Sequence, residues 1–214
     1  MPPEAADLAT LVARVRTLHA RAGGRRVLVG ITGSPGAGKT TLAERLVAAL
    51  GDDAVHLPMD GFHLANATLD ALGRHDRKGA LDTFDGWGFL ALLRRVRDEQ
   101  DHTVYAPSFR REVDEPVAAE IAVEPHHAVV VAEGNYLLVP DEPWGQVRDV
   151  LDEAWFCETS ADERERRLVD RHTRHGRTPE AAAAWATEVD GRNALVIDAT
   201  ATRADLVVSG LLPT

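Results

Sequence analysis

Gly33-Ser34-Pro35-Gly36-Ala37-Gly38-Lys39-Thr40 follows the apolar run Val27-Leu28-Val29-Gly30-Ile31 and precedes Thr41-Leu42-Ala43-Glu44-Arg45-Leu46-Val47-Ala48-Ala49-Leu50. The first flank reads as a buried strand. The second reads as a helix with Leu42, Leu46, Val47 and Leu50 on one face. A glycine-rich turn between a strand and a helix is the context in which such a run becomes a phosphate-binding loop. Its glycines let backbone N–H groups converge on phosphate oxygens, and the helix N-terminus adds partial positive charge. Residues 33–41 are therefore expected to hold a nucleotide, with Lys39 on the β- and γ-phosphates and the Thr40 hydroxyl on Mg²⁺.

Outward from the loop, apolar runs alternate with helical periodicity. Leu8, Leu11, Val12, Val15 and Leu18 predict an amphipathic helix ending at Gly23-Gly24. Ala54-Val55-His56-Leu57 is a short strand, and 65–86 is a polar, glycine-punctuated loop with a short helix around 68–72. Phe89, Leu90, Leu92, Leu93 and Val96 mark another helix. Thr103-Val104-Tyr105 and Ala119-Glu120-Ile121-Ala122-Val123 suggest a hairpin around Pro107-Ser108-Phe109-Arg110-Arg111. His127-Ala128-Val129-Val130-Val131-Ala132-Glu133 is a continuous apolar strand of the kind covered on both faces. Ala154-Trp155-Phe156-Cys157-Glu158 and Leu206-Val207-Val208 are further strands, and 162–175 and 179–190 further helices. The expectation is an α/β P-loop NTPase fold: a five-stranded, mainly parallel sheet with helices on both faces and a helical lid. Residues 1–214 are read as a single domain, with the lid at about 164–180.

Composition narrows the functions. The chain has 214 residues, 44% hydrophobic, with a net charge of −10. That suits one sizeable core. An acidic chain is a poor match to nucleic acid or an anionic membrane surface. No run approaches the roughly 20 apolar residues of a membrane span. The start, Met1-Pro2-Pro3-Glu4, lacks the pattern of a signal peptide, and the single cysteine, Cys157, reads as a small buried hydrophobe. A cytoplasmic protein is expected. Basic residues are almost all arginine; the lysines are Lys39 and Lys78. His56, His63, His126, His127, His172 and His175 form no zinc pattern. Trp87, Trp144, Trp155 and Trp185 read as packing residues.

Three further groups suggest chemistry. Asp60 follows its strand by three residues, so it shares the phosphate-loop edge of the sheet. A carboxylate there can take the proton of an attacking hydroxyl or hold Mg²⁺ through water. Glu133 ends a buried strand, where a carboxylate needs a cation or donors; a second Mg²⁺ ligand is its expected role. Arg171-His172-Thr173-Arg174-His175-Gly176-Arg177 is a basic run in an acidic protein. It suits a lid that places guanidinium groups on a transferring phosphate.

These residues together resemble the P-loop kinases that include uridine kinase, phosphoribulokinase and bacterial pantothenate kinase, and among them a broad nucleoside/nucleotide kinase group with members labelled fructose-transport kinases. The resemblance rests on the 33–41 loop, Pro58-Met59-Asp60-Gly61-Phe62-His63-Leu64, Arg77-Lys78-Gly79-Ala80 with Thr83-Phe84-Asp85, Glu133-Gly134-Asn135-Tyr136-Leu137-Leu138, and Arg167-Leu168-Val169 with Arg171-His172. It implies transfer of the ATP γ-phosphate to a hydroxyl of a small molecule, with ATP and Mg²⁺ as cofactors. By resemblance Asp60, Lys39 and Arg171 carry the chemistry. Asp60, His63, Lys78, Asp85, Arg110 and Glu133 line the acceptor site, and Asn193 lies near the adenine. The chain has Asp60-Gly61-Phe62-His63 where uridine kinases tend to carry Asp-x-Phe-Tyr, which weakens uridine as acceptor. A nucleoside monophosphate kinase would need an added cationic site, which Lys78, Arg110 and Arg111 could supply. A regulatory NTPase is the reading from another class. A homodimer is left open, as is the acceptor among nucleosides, sugars and pantothenate-like molecules.

Overall fold

The computed structural model describes residues 4–5, 7–174 and 176–210; His175, part of the basic run, lies outside the described residues. Five strands form the parallel sheet: β2 (Val27–Thr32), β3 (Ala54–Pro58), β6 (Val129–Glu133), β7 (Glu153–Glu158) and β8 (Leu206–Ser209). Their order is β8-β7-β2-β6-β3, and a two-residue strand, β1 (Glu4–Ala5), pairs in parallel with β8 at the edge. The pairings are parallel throughout this sheet. The expected hairpin is longer than its apolar letters suggested: β4 (Val104–Arg110) and β5 (Glu115–Val123) form an antiparallel ribbon apart from the main sheet.

Strand alternation builds two apolar layers, one on each face. Val27, Val29, Ile31, Val131 and Trp155 pack under helices α1 (Leu8–Arg21) and α2 (Lys39–Leu50). Leu28, Val130, Ala132 and Phe156 face the other way. They meet α4 (Gly86–Asp98) through Phe89 and Leu93, and α5 (Trp144–Val150) through Trp144 and Val147. Cys157 is buried among apolar residues as expected, but Trp87 is 59% exposed and takes no part in packing of the core. Between β3 and α4 lie a 3₁₀ turn (Met59–Phe62), α3 (Asn66–Leu72) and two more short turns. After β7 come α6 (Ala161–Arg174) and α7 (Pro179–Trp185), a π-helical turn over 186–190, and α8 (Gly191–Asp198).

The register fixes where chemistry can gather. Glu133 pairs with Ile31 on one side and with Pro58 on the other. The glycine-rich loop begins two residues past Ile31, and Asp60 lies two residues past Pro58. Loop, Asp60 and Glu133 therefore emerge from one sheet edge, at the carboxyl ends of adjacent strands, where open α/β sheets bind ligands.

Candidate active site

The loop is held from behind. Gly33 has φ +147°, and a Cβ there would meet the Cys157 carbonyl oxygen at 2.3 Å, so β2 and β7 can flank the loop only with glycine at this position. The buried Ser34 hydroxyl donates to Asp198 Oδ1 of α8 at 2.5 Å. Arg167 of α6 donates to the Gly36 carbonyl at 3.2 Å. Lys39, 7% exposed, folds back to donate to the Ser34 carbonyl at 3.2 Å and stands 4.0 Å from Glu133. The Thr40 hydroxyl donates to Glu133 Oε2 at 3.2 Å. Burial pushes the Glu133 carboxyl up to about 7, with Lys39 opposing; burial also lowers Lys39, with Glu133 opposing.

Two cavities meet here. One, of about 380 Å³, runs over the loop past Gly36, Gly38, Thr41 and Arg167. The other, of about 400 Å³, is lined by Asp60, His63, Lys78, Glu133 and Asn193 among others. Lys39, Thr40, Arg111 and Arg171 line both. Arg171 is lowered by burial, with Asp190 opposing. The Arg111 guanidinium lies 3.7 Å from Asp60 Oδ2. His63 stacks on Phe84 with ring centroids 4.0 Å apart and lies 4.8 Å from Phe109. Burial pulls both His63 and His56 down to about 4, so each is neutral at pH 7.

Most of the expected residues converge: Pro35, Lys39, Thr40, Asp60, His63, Lys78 and Glu133 face the larger cavity and Gly36, Gly38 and Thr41 the smaller. Ala37 is buried behind the loop, and its carbonyl accepts from Thr159. Three expected residues make other contacts. Arg110 turns away from the cleft, 58% exposed, and binds Glu120 with Nε at 2.6 Å. Arg111, one residue on and at the start of the turn, is the one that reaches Asp60, with its side chain still half exposed. Asp85 is exposed and accepts from the Gly88 N–H at 2.8 Å, capping α4. Asn193 donates to the Gly79 carbonyl at 3.3 Å and lines the Asp60 cavity, not the one over the phosphate loop. Asp198 and Asp190, which no local pattern marks, also take part, as do residues of the expected basic run. Asp198 anchors Ser34. His56 Nε2 lies 3.9 Å from Glu133. Arg177 sits 3.8 Å over Trp185, and His172 bonds Asp190 at 2.7 Å.

The Phosphoribulokinase / Uridine kinase family model matches residues 28–213. The chain is 39% identical over 133 residues to the ATP-dependent kinase-like protein notR' of Aspergillus versicolor, covering 59% of this chain and 77% of that protein. It is 35% identical over 157 residues to a Schizosaccharomyces pombe protein named "Putative uridine kinase C227.14", covering 69% and 67%. A crystal structure of a "putative fructose transport system kinase" from Silicibacter sp. TM1040 superposes with a TM-score of 0.87 at 37% identity, over 95% of this chain and 99% of that one. With a matched span that runs from β2 past β8 and takes in Lys39, Asp60, Glu133 and Arg171, the chain belongs to the phosphoribulokinase / uridine kinase family and is an ATP-dependent P-loop phosphotransferase that acts on hydroxyl groups.

Proposed function

We propose that the chain, as one kinase domain, transfers the γ-phosphate of ATP to a hydroxyl of a sugar or polyol bound beside Asp60. The carrying observation is that the loop cavity and the Asp60 cavity share Lys39, Thr40, Arg111 and Arg171. A phosphate passing between nucleotide and acceptor crosses that junction, where three cationic side chains offset its charge. Asp60 receives the hydroxyl proton. Phosphoryl transfer needs mostly positioning and charge neutralisation, so a carboxylate suffices as base.

The residues at the junction fit Mg²⁺. Thr40 and Glu133 lie 3.2 Å apart, and Mg²⁺ takes one or two protein ligands and completes its shell with phosphate and water. Thr40 and Glu133 would hold the ion, which supplies positive charge to the phosphates. Residues 164–180 act as a lid that excludes water. ATP supply fits a cytoplasmic setting.

Two features favour a sugar or polyol. The Phe84 ring lies against one face of His63, and that face cannot stack on a nucleobase. The Silicibacter protein of similar sequence is named for fructose transport. The nucleoside monophosphate reading keeps Arg111 alone of its three cations, since Arg110 points away and Lys78 is engaged by protein groups.

The test is Mg²⁺-dependent ADP release from ATP against hexoses, pentoses, polyols, nucleosides, nucleoside monophosphates and pantothenate, with a no-acceptor control. Stimulation by a sugar or polyol is expected. Stimulation by a nucleoside alone overturns the acceptor class, and release indifferent to every acceptor overturns the proposed transfer.

A further inference from the structure

Lys78 lies in the turn-rich segment after α3, its side chain 10% exposed. Its ammonium donates to Asn66 Oδ1 at 2.6 Å, to the Asp114 carbonyl at 2.5 Å and to Asp114 Oδ2 at 2.9 Å. A lysine has three N–H donors and no acceptor, so these contacts engage the whole head group. The Phe109 ring, its centroid 5.0 Å away, adds a cation–π contact. Although Lys78 lines the acceptor cavity, no donor is left to grip an acceptor.

What Lys78 grips is the turn of the β4–β5 hairpin. Asp114 sits at that turn with φ +51°. Asn66 adds to the hold: its side-chain amide donates to the Asp114 carbonyl at 3.0 Å, and its backbone N–H donates to the Glu115 carboxylate at 3.0 and 3.1 Å. The base of the ribbon is held in the core by Val104, Ala106 and Val123, but its turn end is exposed and is not paired with the main sheet, and an unsupported pair of strands is marginal in water. Arg111 is on the same turn, reaching Asp60 at 3.7 Å.

The geometry points to Lys78 as a positioning residue: it latches the hairpin turn to the start of α3 and so sets Arg111 over the junction of the two cavities. The catalytic consequence rests on the proposed kinase reading; the latch does not, and can be read without substrate.

The experiment is amide hydrogen exchange on the full chain, as wild type, Lys78→Met, Asp114→Ala, the double variant and Lys78→Arg. Lys78→Met is expected to speed exchange in 104–123 by about 10-fold or more, with β2 and β6 unchanged. Asp114→Ala should act likewise, the double variant should be less than additive, and Lys78→Arg should restore part of the protection. In the ADP-release assay, with the most stimulating acceptor, Lys78→Met and Asp114→Ala should both lower kcat/KM for acceptor by about 10-fold while the KM for ATP moves less than about 2-fold. Wild-type hairpin exchange in Lys78→Met overturns the latch. Acceptor turnover lost in Lys78→Met but intact in Asp114→Ala assigns Lys78 to the acceptor and also overturns it. If Lys78→Met unfolds, exchange in Lys78→Arg and Asp114→Ala decides by the same criterion. If no acceptor stimulates ADP release, the kinase reading fails and the exchange result still decides the latch.

Discussion

Asp60 faces Arg111 at 3.7 Å across the cleft and stands two residues past Pro58, the partner of Glu133 on the neighbouring strand. Its proposed work is proton transfer, so Asp60→Asn should leave ATP affinity intact and cut acceptor-dependent turnover by roughly 10²-fold or more. Turnover near wild type in that variant would remove Asp60 as the base. His63 offers a second test. Its native pKa is held near 4 against 6.5 for the free side chain, chiefly by burial. A histidine depressed in this way protonates first in the unfolded chain. Its contribution to stability is complete above about pH 6.5 and is lost as pH falls toward 4, amounting to about 2 kcal/mol at pH 5. His63→Gln should flatten the fall in stability between pH 7.5 and 5 by about that much relative to wild type, as read by urea unfolding at each pH. Glu133, raised to about 7, acts in the opposite sense, so the difference between variants is the readout. Lys39, Asp60 and Glu133 were legible in the sequence because each stands at a fixed offset from an apolar strand. Arg110 and Arg111 were not separable: Arg110 ends β4 and Arg111 begins the turn, and no local pattern marks where the strand stops.

At the scale of elements, the 3₁₀ turn that carries Asp60 packs backbone to backbone on β4. A Cβ on Gly61 would meet the Pro107 carbonyl oxygen at 2.3 Å and its carbon at 2.6 Å. Gly61→Ala must push turn and hairpin apart, with an overpacking cost of about 1–3 kcal/mol. The expected result is a lower Tm and a higher KM for acceptor with the KM for ATP unchanged; a raised KM for ATP alone would show that this contact does not serve the acceptor side. Elements with unbroken apolar periodicity, β2, β6, α1, α2 and α4, were legible because burial on a face or on both leaves a repeating mark. The hairpin was only half legible. Its polar residues are partly exposed, as along β5, and Pro107 interrupts its pattern. The helix expected over 179–190 gives way at Trp185 to a π turn and resumes as α8 to Asp198. That turn buries Asp190, which then bonds His172 on α6. The partners of such a bulge are distant in sequence, so no local pattern announces it.

For the whole molecule, alternating strand and helix signals sufficed to read a parallel α/β sheet, but not the strand order or the separate ribbon, which crossovers between distant segments decide. Those long-range choices bring together the groups that line both cavities: Lys39 and Thr40 from the loop and α2, Arg111 from the hairpin turn, and Arg171 from α6. A nucleotide at this junction ties together parts of the chain that local structure leaves independent, and it binds only the folded protein. Linkage then gives about 2.7 kcal/mol of stabilisation at 100 times Kd, or a Tm rise of about 5–10 °C for a chain of this size. A thermal melt with Mg²⁺ and a non-hydrolysable ATP analogue should show that rise, and Lys39→Ala should lose most of it, because Lys39 is the buried cation at the base of the loop. A full rise in Lys39→Ala would place the nucleotide elsewhere on the molecule. No rise in the wild type at saturating analogue would mean that the loop, hairpin and α6 are not joined through a phosphate, and the shared lining of the two cavities would lose its functional meaning.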